Sequence, residues 1–224
     1  MTKLLSEDIA RQVQDVFEQL QHPVQIIFFG SKNECDYCDD TRRMVEELAT
    51  LSDKIEVSVY DIEEDAGIAQ QFKVDKTPGM AIVGREGEQM LDFGIRLSGI
   101  PAGHEFSSLV HDIVLVSSRD SGLSDQTRKL LEGLQKPVLL QVFVTPTCPY
   151  CPRAVVLAHQ MAMESPMIEA EMVEAMEFSE LSERHNVSGV PHTVINEGAG
   201  NVVGAVPEEY LLAEMQRALA AASR

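Results

Sequence analysis

The sequence predicts an α/β protein of two tandem units, each a central mixed β-sheet flanked by helices. Three observations predict it. Two Cys-x-x-Cys pairs, Cys35/Cys38 and Cys148/Cys151, lie 113 positions apart. Each first cysteine is followed, 43 positions later, by a proline, Pro78 or Pro191. The same offset matches Asp61 with Glu174, Val74 with Val187 and Ile82 with Ile195, so the stretch from dithiol to proline repeats without a gap. At 224 residues the chain has the length of two ordinary domains. The repeat assigns residues 1–117 to one and 118–224 to the other, joined by the short polar segment Ser117–Leu123. So short a connection predicts units that pack together instead of swinging freely.

In the first unit Ser6 can cap a helix whose apolar positions Ile9, Val13, Val16, Phe17 and Leu20 share one face. After Pro23, the short run Val24-Gln-Ile-Ile-Phe-Phe29 is rich in β-branched and aromatic residues, as a buried central strand is, and ends at Gly30. Cys35 therefore follows a strand, and Cys38–Leu51, with Met44, Val45, Leu48 and Leu51 on one side, reads as the next helix. Ile55–Tyr60 is a second strand, Ala66–Phe72 a short helix, Gly79–Val83 and Met90–Ile95 a hairpin, and Glu105 to about Val116 the closing helix. The second unit repeats this order. Ser124 caps a helix with Leu130, Leu131 and Leu134, and Pro137 introduces the strand Val138–Phe143, which runs into Cys148. Met167–Val173 is the matching strand, Glu177–His185 the short helix, His192–Ile195 with Asn201–Val206 the hairpin, and Pro207 opens the last helix.

Charge narrows the partners. With 36 acidic and 18 basic residues the net charge is −18, which repels phosphate backbones and anionic membrane surfaces, so neither nucleic acid nor membrane is expected. The opening residues show no basic segment leading into an apolar run, and no stretch approaches the ~20 apolar residues of a membrane span. A cytoplasmic protein is expected. Four cysteines clustered two and two suit catalysis better than a stapled secreted scaffold.

A thiol attacks a disulfide as thiolate, so the first cysteine needs access to solvent and a depressed pKa. The start of a helix supplies the second, because its unpaired N–H groups and dipole favour negative charge. Cys35 and Cys148 are thus the expected nucleophiles, and Cys38 and Cys151, one turn inward, the resolving cysteines. The competing reading is a metal half-site. Structural zinc sites often use two pairs some 15–20 residues apart, and these are far more distant. No histidine stands at short ligand spacing to a pair, and only His192, beside Pro191, should lie near a dithiol. No metal and no cofactor beyond the cysteine pairs is expected. A vicinal dithiol on a strand-to-helix turn, with a distant proline before a strand, describes a thioredoxin-like site. In that fold Pro78 and Pro191 would be cis, placing the backbones of Thr77 and Val190 where an extended substrate can pair with them.

The dipeptides inside the pairs differ, Asp36-Tyr37 against Pro149-Tyr150. Asp36 should disfavour a thiolate at Cys35 unless Lys32 offsets it, so the second dithiol is expected to be the more reactive.

Thr147-Cys-Pro-Tyr-Cys151 with Val190-Pro191 resembles glutaredoxin, and the doubled unit resembles the glutaredoxin-like protein disulfide oxidoreductases of thermophilic archaea and bacteria. The resemblance covers nearly the whole chain, most specifically Val142–Pro152, Ala170–Ala175 and Gly99–Phe106. It implies two thioredoxin folds side by side, each with a four-stranded sheet. It also implies reduction, oxidation or isomerisation of protein disulfides, with disulfide-containing proteins as substrates and recycling by a thioredoxin-reductase-type flavoenzyme. The acid that thioredoxin buries six residues before its nucleophile is replaced by Phe29 and Val142; Asp61 and Glu174 are possible substitutes, with capping as their alternative role. Two other functions stand beside protein disulfide oxidoreductase. One is a dedicated electron carrier to a peroxidase. The other is a glutaredoxin-like iron–sulfur or metal-binding protein, which would be coloured or carry stoichiometric metal.

Overall fold

The computed structural model describes residues 4–33 and 35–221. Helix α1 (Glu7–Phe17) opens on Ser6, whose hydroxyl accepts the Ile9 N–H, and is followed by strand β1 (Val24–Gly30). Helix α2 (Cys38–Ala49), strand β2 (Ile55–Asp61), helix α3 (Ala66–Gln71) and the hairpin β3 (Gly79–Glu86) and β4 (Gln89–Ser98) complete the first sheet half. A 3-10 turn (Gly103–Glu105) leads into α4 (Phe106–Ser118). The second half runs α5 (Asp125–Glu132), β5 (Val138–Val144), α6 (Cys151–Glu164), β6 (Ile168–Glu174), α7 (Ser179–Arg184), β7 (His192–Ile195), β8 (Gly200–Val203) and α8 (Glu208–Ala221). Helix α4 runs two residues past the expected end, and Arg119 stops it in the left-handed conformation. Pro207 precedes the last helix instead of opening it.

The strands form one mixed sheet in the order β2-β1-β3-β4-β6-β5-β7-β8. Where two four-stranded sheets were expected, the halves are fused. The last residues of β4, Ile95–Ser98, pair in parallel with Ala170–Val173 of β6. The junction depends on the extension of β4 to Ser98, three residues beyond the expected Ile95. With this pairing β1, β4, β5 and β6 all point the same way.

Alternation along the strands divides the core. Val24, Ile26 and Phe28 of β1 join Val138, Leu140 and Val142 of β5 in one large cluster beneath α1, α2, α4, α6 and α8. Ile27 and Phe29 face a small cluster under α3, and Phe143 faces another that includes Ala175 and Leu181 near α7. On the heavily covered face, His159 of α6 meets Asp112 of α4 at 2.9 Å, both fully buried, tying the halves together. Across the junction on the sparsely covered face, Glu171 accepts from Ser98 at 2.5 Å, Gln141 at 2.8 Å and Lys76 at 2.8 Å. Every partner of this buried carboxylate is a donor, as burial of charge requires.

Candidate active site

Because β1 and β5 run the same way, both strand-to-helix turns open at one edge of the sheet. The two strands stand four places apart in the strand order, about 19 Å at the usual spacing. Cys38 and Cys151 are the first residues of α2 and α6, and each pair is closed as a disulfide with Cα atoms 5.5 Å apart. Tyr37 and Tyr150 at the caps provide no side-chain hydrogen bond, so the sulfur can take that place: Cys148 Sγ accepts the Cys151 N–H at 3.1 Å. This is a direct form of the helix-terminus effect that favours thiolate. Exposure differs between the pairs. Cys35 is partly exposed, Cys38 and Cys148 retain 7% and 8%, and Cys151 is fully buried.

The Thr77–Pro78 and Val190–Pro191 bonds are both cis. Each proline carbonyl accepts a glycine N–H from the neighbouring strand end, Gly99 for Pro78 and Gly204 for Pro191, both at 2.8 Å. Thr77 and Pro78 share a cleft of about 910 Å³ with Cys35.

The segment Gly99–Glu105 joins the two sites. At its start Ile100 donates to the Glu177 carboxylate at 2.7 Å, and near its end His104 donates to the Pro146 carbonyl at 2.9 Å, two residues before Cys148. Its glycines sit where side chains cannot. At Gly99 (φ +92°) a Cβ would lie 2.5 Å from Glu174 Cβ, and at Gly103 (φ +60°) 2.2 Å from the Pro146 oxygen.

Two acids enter the sites by this route, and the sequence did not single out either. Glu105, 1% exposed, packs with its 3-10 turn against α6, the helix that Cys151 begins. Burial pushes its carboxyl up to about 7, an effect reinforced by Asp112 and opposed by the Ser108 hydroxyl, which donates at 2.6 Å, and by His159. Glu177, from the second half, lines the cleft of the first dithiol. Burial is again the largest cause of its rise to about 7; the Ile100 N–H opposes it, and Glu174 and Asp36 add to it. The available signal was position: Glu105 lies inside the Gly99–Phe106 stretch, and Glu177 follows the end of β6.

The remaining expectations divide. Asp61 is a cap, holding the N–H groups of Glu64, Glu63 and Lys32, which keep it below the usual carboxylate range. Glu174 caps Met176 and Glu177 at 3.0 and 2.6 Å, yet it also lines the Cys35 cleft, and its Oε1 is buried without a partner. Lys32 is engaged by Glu64 at 2.5 Å, so its charge already has a carboxylate partner other than Asp36. His192 is buried on β7 and pairs with Asn201 at 3.2 Å. Among the described residues no helix is long and apolar enough to cross a membrane.

Residues 138–217 match a family model described as a thioredoxin domain. A protein disulfide oxidoreductase from Aeropyrum pernix is similar over 98% of this chain and 94% of its own, with a TM-score of 0.87 and 34% identity. The NTD_N/C domain of alkylhydroperoxide reductase from Enterococcus faecalis superposes with a TM-score of 0.85 and 26% identity, covering 94% of this chain and 99% of that one. An alkyl hydroperoxide reductase chain of Staphylococcus epidermidis is 30% identical over 188 residues, covering 84% of this chain but 33% of its own length. The chain thus spans about a third of the length of the curated relatives it matches first.

Proposed function

This chain belongs to the thioredoxin-fold protein disulfide oxidoreductases, and we propose that it exchanges electrons with protein disulfides through two dithiols. The units are residues 1–117 and 118–224. Cys35 and Cys148 attack, Cys38 and Cys151 resolve, and the backbones of Thr77 and Val190 receive the substrate strand. The observation that carries this reading is the repeated geometry: twice, a closed disulfide at the start of a helix is followed by a cis-proline at the same distance along the chain.

The chemistry needs only those groups. A first thiolate displaces one sulfur of the substrate disulfide, a mixed disulfide forms, and the second cysteine attacks it to release the reduced substrate. The cysteine pairs then carry two electrons each, without a further cofactor. A thioredoxin-reductase-type flavoenzyme would restore them, in a cytoplasmic setting. A second reading is supported by the likeness to the alkyl hydroperoxide reductases: the chain would pass electrons to a dedicated peroxidase.

Insulin reduction with a thiol reductant, comparing wild type with Cys148→Ser, tests the first reading. Near-complete loss is expected. Retained activity would show that Cys35/Cys38 serves generic substrates independently. Negligible insulin reduction by the wild type, beside fast reduction of a peroxidase, would favour the carrier. A coloured or metal-loaded protein after anaerobic purification would instead support the iron–sulfur or metal-binding function.

A further inference from the structure

The cleft over the first dithiol is assembled from both halves. Its floor is Cys35 with cis-Pro78; Asp36, Tyr37 and Asp40 come from the turn and α2; Glu174 and Glu177 come from the end of β6. Glu177 is half-buried there and is held by the Ile100 N–H. Among the described residues that line the cleft none is a cation. Towards the sparsely covered sheet face, where Glu177 also borders a second cavity, stand Asp75, Lys76, Glu180, Arg184, His185 and Glu197. Lys76 is already paired with Glu171 and Asp75. Arg184 and His185 border only that second cavity, so within the cleft the acid is accompanied by the carboxylates of Asp36, Asp40 and Glu174 alone, and such crowding favours a bound proton. Its ionisation falls at about 7, where a proton can be both held and given.

We propose that Glu177 is the general acid of the first dithiol, supplied by the opposite half of the molecule. When the Cys35 thiolate attacks a substrate disulfide, the substrate S–S bond breaks and the Cys35–substrate S–S bond forms. The departing sulfur leaves with the electron pair of the broken bond and takes the proton from the Glu177 carboxyl. Glu177 is left as carboxylate and regains a proton from water in the open cleft. The inference deepens the proposed function and rests on Cys35/Cys38 being a working site.

The test uses the full chain with Cys148→Ser and Cys151→Ser, so that all turnover belongs to the first dithiol. The reduced protein is mixed in a stopped-flow instrument with hydroxyethyl disulfide, which releases an alkyl thiolate of high pKa, or with dithiodipyridine, whose departing sulfur is a good leaving group unaided. With Glu177 present, the alkyl-to-aromatic rate ratio falls as pH rises through about 7. Glu177→Gln slows the alkyl reaction below neutral pH on the order of tenfold and removes that fall, less than most general acids contribute because a thiolate can leave unprotonated. The aromatic reaction changes by less than about twofold, because that leaving group needs no proton. Equal changes with both disulfides, or no change, would overturn the proposal. Should Glu177→Gln fail to fold, a ratio independent of pH with Glu177 in place is equally fatal to it. If neither disulfide reacts with the first dithiol, the reading of that site as functional fails, and this inference with it.

Discussion

The two dithiols share a fold and a spacing, yet their nearby acids approach from opposite sides. On the side of the second, Glu105 is sealed in the core where its turn packs against α6, the helix that Cys151 begins. In front of the first, Glu177 lines the open cleft together with the partly exposed Cys35. Each acid comes from the other half of the chain. Duplication repeated the backbone chemistry, whereas fusion of the sheets supplied the acids, and the fused edge has only one arrangement to offer each site. The positions equivalent by the repeat make the point. Asp61 and Glu64 of the first half are occupied by the Lys32 backbone and side chain, while Glu174 and Glu177 of the second have Thr145 where Lys32 would be and turn towards the neighbouring cleft.

The segment Gly99–Glu105 is where this comparison is most easily broken. Gly99→Val forces a branched side chain into a left-handed backbone and against Glu174, a combined cost of about 2–4 kcal/mol. Thermal unfolding should show the loss, and insulin reduction through the first dithiol should fall further than through the second. Gly103→Val, pressed against the Pro146 oxygen, should reverse that order. Equal damage to both sites from either substitution would mean that the segment acts only as a spacer.

Glu105→Gln comes next in size. The native carboxyl ionises at about 7 against an ordinary value of 4.5, with burial as the first cause. A raised acid favours the folded state most strongly below the unfolded pKa, and that contribution disappears as pH rises through the folded value. The Glu105 contribution should therefore decline between about pH 4.5 and 7, by at most about 3 kcal/mol, and Glu105→Gln should remove that part, leaving the smaller share of Glu177. Urea denaturation of both proteins across that interval measures it. Parallel profiles would place the titration on another group. The corresponding change in Glu177→Gln should be smaller, because its half-exposed carboxyl is screened by solvent.

Much of this arrangement was legible in the sequence. The apolar runs at 24–29 and 138–143, the capping serines and the shared offsets located nearly every element, because local patterning and duplication are properties of the sequence itself. The junction was not legible. Residues 95–98 and 170–173 pair in the sheet, but which exposed edge meets which is decided by packing between segments distant in sequence, and three of the first four lie beyond the expected strand end at Ile95. The acids were missed for the same reason. The expected substitutes, Asp61 and Glu174, sit on the strands of their own units, as the thioredoxin pattern suggests, whereas Glu105 and Glu177 reach their sites only once the halves are joined. Lys32 shows the converse: close in sequence to Cys35, it is drawn off by Glu64.

Exchanging the inner dipeptides probes the contribution that remains local. Asp36→Pro removes a negative charge beside Cys35, and iodoacetamide alkylation of reduced Cys35 at pH 7 should accelerate roughly threefold, since more of the thiol is then ionised. Pro149→Asp should slow Cys148 by a similar factor. If the two sites kept their original ranking after the exchange, the Cys148 hydrogen bond from Cys151 and its greater burial, not the dipeptide, would set the difference. Smallest of all should be Lys32→Met. The lysine is fully exposed and its ion pair points to Glu64, and an exposed charge acts weakly through solvent and salt. Cys35 alkylation should then stay within about twofold of the parent. A larger drop would mean that in the reduced state Lys32 turns from Glu64 to the thiolate, restoring the offset to Asp36 that the closed disulfide does not require.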